Sequence, residues 1–299
     1  MTDIIRRADR ARMLRAIGLL FISILCFDVM SILVRLLLAD YSAQELSAYR
    51  NVFGIIPSLI LMIYTRELRL RGTSLYIKKW PLAIFRGFVI AFAQLFFYSS
   101  LGFLELATVS ALAQTNALFV VLLSVVLLGE KVGIWRWSAL GLGFVGALMI
   151  LQPGSDAFSV YALLPVAAAV CYAISIVTVR LFDPGISNSL LYLYSSAASA
   201  LGAFVLAGLT TTFSPVASLE QAGMIFLMSM MGGTGVLFLM LAYRMASPSI
   251  LAPFGYFGLL TAFAFGWLFF GEAPIETLFP GVFVIVAAGA IIIWRENRA

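Results

Sequence analysis

The chain has 299 residues, of which 63% are hydrophobic and only 11% are charged. A soluble domain needs far more polar surface, so the composition excludes a separate soluble domain and predicts that most of the chain lies in lipid. The net charge of +5 does not indicate a nucleic-acid partner, because the basic residues lie in the short gaps between apolar runs.

Ten apolar stretches follow one another along the chain. A helix needs about 20 apolar residues to cross the hydrocarbon core of a bilayer. The stretches are 16–38, 46–65, 82–103, 107–128, 137–151, 160–179, 189–209, 222–243, 249–270 and 275–294. We therefore predict an all-α integral membrane protein with ten transmembrane helices, preceded by a basic segment at residues 1–15.

The second half of the sequence echoes the first. Cys26-Phe27 recurs 145 residues later as Cys171-Tyr172, and Gly129-Glu130 is echoed by Gly271-Glu272. The repeats, 16–153 and 154–299, each hold five apolar stretches. Because five is odd, the second repeat enters the bilayer from the opposite face, which predicts two inverted five-helix repeats. Secondary transporters use this arrangement to open a central site alternately to each side.

The basic residues predict the orientation. Lys and Arg favour the cytoplasmic side of a membrane. With the N-terminus inside, all of the 19 Lys and Arg residues except Arg35 and Arg50 fall on that side. We therefore predict a multi-pass protein of the cytoplasmic membrane, of the bacterial inner-membrane type, with both termini in the cytoplasm.

The sequence offers few groups for catalysis or for a cofactor. It has no histidine and no P-loop, and its two cysteines lie inside apolar runs, where they are interpreted as packing residues. We therefore expect no metal, no cofactor and no enzymatic activity. An intramembrane enzyme would need a nucleophile–base pair or paired carboxylates at membrane depth, and it remains a remote alternative.

Asp28 is the sharpest signal of function, because it lies near the middle of the first stretch. A carboxylate there is costly and marks a pathway or a proton relay. Its counterpart in the second repeat is Ala173. Two interpretations stay open, namely a site for a proton or a substrate ammonium group, or a protonated carboxyl bonded to a neighbouring helix. Arg35 lies about 10 Å further along the helix, too far for a direct pair.

Amide and aromatic side chains supply the other candidates for a substrate site. For Gln94, Gln114 and Asn116 we favour a polar cavity over simple bonding between helices, since all three lie near mid-membrane depth. Tyr98, Tyr172 and Tyr256 are candidates for stacking on a substrate, against the alternative of packing.

Glycine-rich segments carry two interpretations. The run 231–235 in the eighth stretch, and Pro253 with Gly255 and Gly258 in the ninth, either interrupt helices beside a cavity or allow close packing. Gly141, Gly143 and Gly146 in the fifth stretch favour packing. Small-residue faces of this kind also allow a homodimer. Glu130 and Glu272 are interpreted as anchors of loops.

Two motifs connect the sequence to a known family. Leu-Leu-Gly-Glu-Lys-Val at 127–132, with Gly-Phe-Val-Gly at 143–146, resembles an EamA domain, and Ala-Pro-Phe-Gly-Tyr at 252–256 resembles a second one. The drug/metabolite transporter superfamily carries two such domains in tandem. The resemblance implies a ten-helix permease that moves small metabolites, often outward. The variant at 252–256 is most similar to bacterial permeases for S-adenosylmethionine or riboflavin. Many members have Pro where this chain has Asn116, which predicts a straighter fourth helix.

These observations lead to a functional hypothesis. We expect a secondary transporter of small organic metabolites, with amino acids or vitamin-like compounds favoured, that works by alternating access. Asp28 would bind a proton or a substrate ammonium group, and the substrate-binding residues would be Asp28, Gln94, Tyr98, Gln114, Asn116, Tyr172 and Tyr256. A passive facilitator for such metabolites is the alternative.

Overall fold

A computed structural model describes residues 2–64, 77–129, 134–151, 159–183, 186, 188–245, 251, 254, 255 and 257–296. Throughout these residues the regular structure is helical. The α-helices are α1 (Thr2–Leu37), α2 (Ala43–Phe53), α3 (Ile56–Tyr64), α4 (Trp80–Leu101), α5 (Leu106–Ala113), α6 (Asn116–Leu128), α7 (Ile134–Leu151), α8 (Leu163–Thr178), α9 (Asn188–Thr210), α10 (Leu219–Met245), α11 (Phe257–Phe270), α12 (Ile275–Leu278) and α13 (Gly281–Glu296). Short 3-10 turns, Val160–Ala162 and Val179–Leu181, flank α8.

Each of the ten predicted stretches contains helix in the described residues. Within the part of the chain that the structure describes, six segments are long and apolar enough to cross a membrane: Ala11–Leu37, Trp80–Leu101, Leu106–Leu128, Val160–Leu181, Leu190–Thr210 and Leu219–Ala242. Gly141–Ile150 and Phe257–Phe270 are shorter apolar helices. The protein is therefore an all-α, multi-pass membrane protein. The first helix begins at Thr2, so it runs through the basic N-terminal segment.

Two predicted stretches are interrupted. The second divides into α2 and α3 around Gly54, and the fourth divides into α5 and α6 at Gln114 and Thr115. The expectation of a straighter fourth helix is therefore wrong. Asn116 stands where many members have proline, but the helix is still interrupted. The Thr115 hydroxyl donates to the Leu112 carbonyl (2.6 Å), and backbone hydrogen bonds here join residues three apart instead of four.

Contacts between helices define which helices are neighbours in the bundle. Helix α1 packs along α10, and α4 packs against both α8 and α9. Helix α2 lies against α9 and α10, while α5 contacts α11 and α7 contacts α13. The largest hydrophobic cluster joins α1, α2, α4, α5, α10 and α11 around Val34, Leu46 and Tyr98.

Glycines set the closest helix contact, between α2 and α10. A Cβ added to Gly233 would lie 2.2 Å from the Gly54 carbonyl oxygen, and one on Gly232 would lie 2.7 Å from Met30 Sδ. Helix α10 is continuous through this run. The glycines of the eighth stretch therefore allow close packing and do not interrupt the helix. Pro253, in the ninth stretch, lies outside the described residues.

A second close contact joins α7 and α13. A Cβ on Gly146 would lie 2.9 Å from the Gly281 carbonyl oxygen, and one on Gly281 would lie 2.7 Å from the Gly146 carbonyl oxygen. Gly143 also faces Ala288 of α13, whereas Gly141 meets no atom within 4 Å. The small residues of α7 thus serve packing within the chain, as predicted. The homodimer stays a prediction.

Gly233→Ala tests the α2–α10 contact. We expect it to destabilise the protein by about 1–3 kcal/mol, because the added methyl group has to push the two backbones apart. The matched control is Gly223→Ala on the same helix, where a Cβ meets nothing within 4 Å. That change should be neutral or stabilising by up to about 1 kcal/mol through helix propensity. Thermal unfolding of the purified variants in detergent measures both, and equal melting temperatures would contradict the contact.

Candidate functional site

A cluster of buried polar side chains lies between helices of both halves of the chain. We call it the Arg50 cluster; its members are Ser47, Arg50 and Asn51 of α2, Gln94 and Tyr98 of α4, Tyr172 of α8 and Tyr192 of α9. Ser47, Arg50, Asn51, Gln94 and Tyr98 are all buried, while Tyr172 and Tyr192 are partly exposed. Helix α2 enters the bundle through a capping box of Ser42 and Glu45, so Arg50 lies two turns inside the helix.

Hydrogen bonds hold α2 against α4. The Gln94 side-chain oxygen accepts from Asn51 Nδ2 (2.5 Å) and from the Ser47 hydroxyl (3.2 Å). Asn51 Nδ2 also donates to the Ser47 carbonyl at 2.8 Å. Gln94, predicted to line a cavity, is therefore part of a polar network that joins two helices.

Arg50 lies at the centre of the cluster. Its side chain donates to the Asn51 side-chain oxygen (3.3 Å) and to the Gly232 carbonyl of α10 (3.2 Å). Its Nε has no hydrogen-bond partner among the described residues. The hydroxyls of Tyr98, Tyr172 and Tyr192 lie close enough to interact with its charge.

Arg50 is not among the predicted site residues, because its charge is assigned to the outer side of the membrane. The signal was present, because Arg50 falls inside the predicted span 46–65, where a charged side chain is a candidate functional residue. Its burial depends on the position of α10, which periodicity does not predict.

A second buried arginine, Arg86, joins α4 to α8 and α9. It donates to the Ser175 carbonyl (3.0 Å) and to the Ser195 hydroxyl (2.9 Å), and its third nitrogen lies 3.5 Å from the Ser175 hydroxyl. Its guanidinium also lies 6.0 Å from the centre of the Phe182 ring. The cation is supplied with neutral acceptors, so Arg86 fits a structural role.

Asp28 is buried on α1, 8% exposed, on the side that faces α11. Thr261 of α11 is its polar neighbour. One carboxyl oxygen, Oδ2, has no hydrogen-bond partner in the described part of the chain. Ile24, one turn earlier, lies against Gly258 of α11. Asp28 therefore belongs to the α11 side of α1, whereas Met30, next to Arg50, belongs to the α10 side.

The other predicted site residues divide into two groups. Gln94, Tyr98 and Tyr172 lie together in the Arg50 cluster. Gln114 donates to the Gly255 carbonyl (3.3 Å) and Asn116 donates to the Ala169 carbonyl (2.9 Å), so both join α5 or α6 to other segments. Tyr256 lies outside the described residues. The substrate role of all of these residues stays a prediction.

An apolar crevice of about 370 Å³ opens between α6, α7 and α8. Its lining includes Leu118, Leu122, Phe144 and Leu148. The lining is almost entirely hydrocarbon, so this crevice differs from the polar cavity that the amide side chains predict.

The C-terminal end of α1 is joined to other helices by ionic contacts. Arg35 makes a bidentate ion pair with Glu272, with Nη1 2.7 Å from Oε2. Glu272 also accepts from the backbone N–H of Leu106 (3.1 Å), and the Arg35 guanidinium lies 4.4 Å from the centre of the Phe270 ring. Glu272 thus anchors the loop after α11, as predicted. Glu130 lies outside the described residues.

Glu45 makes a related contact at the start of α2. Its carboxylate accepts from the Ser42 backbone N–H and hydroxyl, both at 2.7 Å, and from the backbone N–H of Ser214. Burial alone would raise the pKa of Glu45, but these hydrogen bonds outweigh that effect and lower the pKa below its usual value. The carboxylate therefore attaches the loop after α9 to α2.

Comparisons with known proteins show which transporters the chain resembles. Residues 14–152 match the EamA-like transporter family. The chain is 29% identical over 267 residues to the pseudopaline exporter of Pseudomonas aeruginosa, covering 89% of this chain and 91% of the exporter. It is 36% identical to the riboflavin transporter of Rhizobium johnstonii, covering 63% of this chain and 62% of that protein.

More distant relatives agree with this result. The S-adenosylmethionine uptake transporter of Rickettsia bellii is 23% identical over 95% of this chain and 94% of its own length. A protein of known crystal structure, 20% identical, superposes with a TM-score of 0.65 over 95% of this chain and 97% of its own, which shows a shared fold alone. All of the named relatives are transporters, in agreement with the prediction of a permease and not an enzyme.

Glu45→Gln tests the attachment of the loop after α9. Since the folded-state pKa is lowered, the carboxylate stabilises the protein above its unfolded pKa of about 4.3, and this stability is lost as the pH falls through the lower folded value. We expect the variant to be less stable by about 1–3 kcal/mol at neutral pH. The difference from wild type should shrink below pH 4. Glu220→Gln, at an exposed position, is the control. A gap in melting temperature that does not change with pH would contradict the role of the charge.

Proposed function

We propose that this chain, which is an EamA-domain permease, is a secondary transporter of small organic metabolites that works by alternating access. The observation that carries the proposal is the Arg50 cluster. It is a charged and polar group buried where helices α1, α2 and α4 of the first half meet α8, α9 and α10 of the second half. Transporters with internal repeats bind substrate at such an interface near the bilayer midplane.

The packing supports two inverted five-helix repeats. If the second half repeats the first, α1 corresponds to α8 and α4 corresponds to α10. The contact of α1 with α10 then has its counterpart in the contact of α8 with α4, and both occur. The helix ends agree as well, since α6 ends at Gly129 and α11 ends at Gly271, each with φ of 66°. Five spans in each half give the second half the opposite orientation.

The ionic contacts support a closed state at one end of the bundle. With both termini in the cytoplasm, the C-terminal end of α1 faces outward. Arg35 with Glu272 and Glu45 with Ser214 then close the outer side. Rocking of the two halves that opens the outer side requires these contacts to break.

Asp28 is the proposed coupling residue. It is a buried carboxyl with one unbonded oxygen. It lies on α1, a helix of the first half that packs against α10 and α11 of the second half. A carboxyl in this position can take up and release a proton during the cycle, or bind a substrate ammonium group. A passive facilitator would need neither step, so accumulation of substrate driven by a pH gradient separates the two mechanisms.

Asp28→Asn tests proton coupling in proteoliposomes. The probes are S-adenosylmethionine and riboflavin. For the probe that is transported, we expect the flux through the wild type to respond to a pH step, and we expect the probe to accumulate against its gradient. The variant should lose accumulation and the pH response, because an amide does not titrate. Asp40→Asn, at an exposed loop position, should behave as wild type. Unchanged flux and pH response in Asp28→Asn would reduce Asp28 to a structural role.

Reporter fusions test the inverted topology. We expect alkaline phosphatase to be inactive, and a fluorescent protein to be bright, at each end of the chain, because both termini are proposed to be cytoplasmic. Fusion after Ser218, in the loop before α10, should give the reverse pattern. Termini in different compartments would mean an odd number of spans and would contradict the paired five-helix repeats.

A further inference from the structure

Arg50 is a buried cation without an anionic partner among the described residues. It is 7% exposed, and the acceptors bonded to its side chain are all neutral, namely an amide oxygen, a backbone carbonyl and the Tyr98 hydroxyl. A guanidinium carries five N–H donors and keeps its charge in a protein. A buried cation is normally paired with an anion or saturated with hydrogen bonds, because otherwise its burial is costly.

Arg35 and Arg86 show how this chain provides partners for an arginine within the bundle. Arg35 has the carboxylate of Glu272, and Arg86, equally buried, bonds to Ser175 and Ser195 through all three of its nitrogens. Arg50 retains an unbonded Nε. Of these three arginines, Arg50 therefore combines the lack of a carboxylate partner with an unbonded nitrogen.

The surroundings are shaped to hold the Arg50 side chain in place. A Cβ on Gly232 would lie 2.9 Å from its Nε, so α10 leaves room for the guanidinium only because this residue is glycine. Asn51, bonded to Gln94, fixes one side of the head group. A guanidinium can offer two parallel donors, the geometry that fits a carboxylate or a phosphate.

Three tyrosines complete the surroundings of Arg50. Tyr98 is fully buried, whereas Tyr172 and Tyr192 are partly exposed, so the cluster is most open on the side of α8 and α9. The Tyr98 hydroxyl already donates to Met30 Sδ (3.5 Å), whereas the hydroxyls of Tyr172 and Tyr192 can donate to the same anion as Arg50. The tyrosine rings offer an apolar contact for the rest of a small molecule.

We propose that Arg50 binds an oxyanion of the transported molecule, so that the substrates of this permease are metabolites that carry a carboxylate or a phosphate. This inference rests on the proposed transport function and names the chemical class of its substrate. Bound substrate supplies the missing anion between the two halves of the bundle. Arg50 belongs to α2 of the first half and bonds to α10 of the second, so substrate binding there acts on both halves at once.

Matched ligand pairs test the inference on the purified, full-length protein in nanodiscs. The carboxylate pairs are S-adenosylmethionine with its decarboxylated form, and phenylalanine with phenylalaninamide. The phosphate pair is flavin mononucleotide with riboflavin. Calorimetry and thermal shift should show the anionic member of at least one pair binding about 30-fold or more tightly than its partner. A preference within a carboxylate pair indicates that Arg50 binds a carboxylate, and a preference within the phosphate pair indicates that it binds a phosphate.

Variants assign the preference to Arg50. Arg50→Gln should abolish the difference within the pair while leaving the affinity of the non-anionic member unchanged. Arg50→Lys keeps the charge without the bidentate geometry, so it should retain a smaller preference of the same sign, which also serves if Arg50→Gln does not fold. Arg35→Gln is the matched control, expected to lower the melting temperature and keep the preference.

Several results would overturn the inference. They are binding of no anionic member, equal affinities within every pair in the wild type, or an undiminished preference in Arg50→Gln or in Arg50→Lys. Flux in proteoliposomes separates this failure from failure of the proposed function. Transport of riboflavin without any preference for an anion would leave the transporter intact, whereas preferential anion binding without flux would refute transport and leave the Arg50 site standing.

Discussion

Lipid cannot supply hydrogen bonds, so every polar group inside this bundle needs a partner from the protein or from a ligand. The buried side chains largely follow this constraint. Gln94 is bonded to Asn51 and Ser47, Arg86 to two serines, and Asn116 to a backbone carbonyl of α8. In the described part of the chain the exceptions are Asp28 Oδ2, Arg50 Nε and the Ser199 hydroxyl. The two that belong to ionisable side chains, Asp28 and Arg50, mark places where a proton or a substrate can supply what the helices do not.

Glycine determines how these polar groups come together. Helices α2 and α10 touch through Gly54 and Gly233, and the neighbouring Gly232 leaves the space that the Arg50 side chain occupies. Van der Waals contact between small residues is a main source of helix association in lipid, where no hydrophobic force acts between helices. The same contact that stabilises the bundle thus brings a cation of one half against the backbone of the other.

The two ionisable groups, Asp28 and Arg50, lie at different faces of α1, since Asp28 belongs to α1 and the Arg50 side chain of α2 lies beside it. Asp28 faces α11, whereas Met30 and the Arg50 side chain meet beside α10. A proton taken up at Asp28 and an anion bound at Arg50 would then act on opposite sides of one helix that contacts both halves. Coupling through the position of α1 would follow from this arrangement, without any direct contact between the two groups.

The class of the protein can be predicted from the sequence, because hydropathy is a local property that each apolar stretch shows independently. The apolar stretches, the polar residues within them and the Gly-Glu motifs were enough to predict an all-α permease of the EamA type. Which polar residues meet depends on how the helices pack. The packing brought Gln94, Tyr98 and Tyr172 to Arg50 and left Gln114 and Asn116 elsewhere, because the facing of a side chain depends on helix rotation and close approach. The hydropathy of a single helix predicts neither its rotation nor how closely it approaches its neighbours.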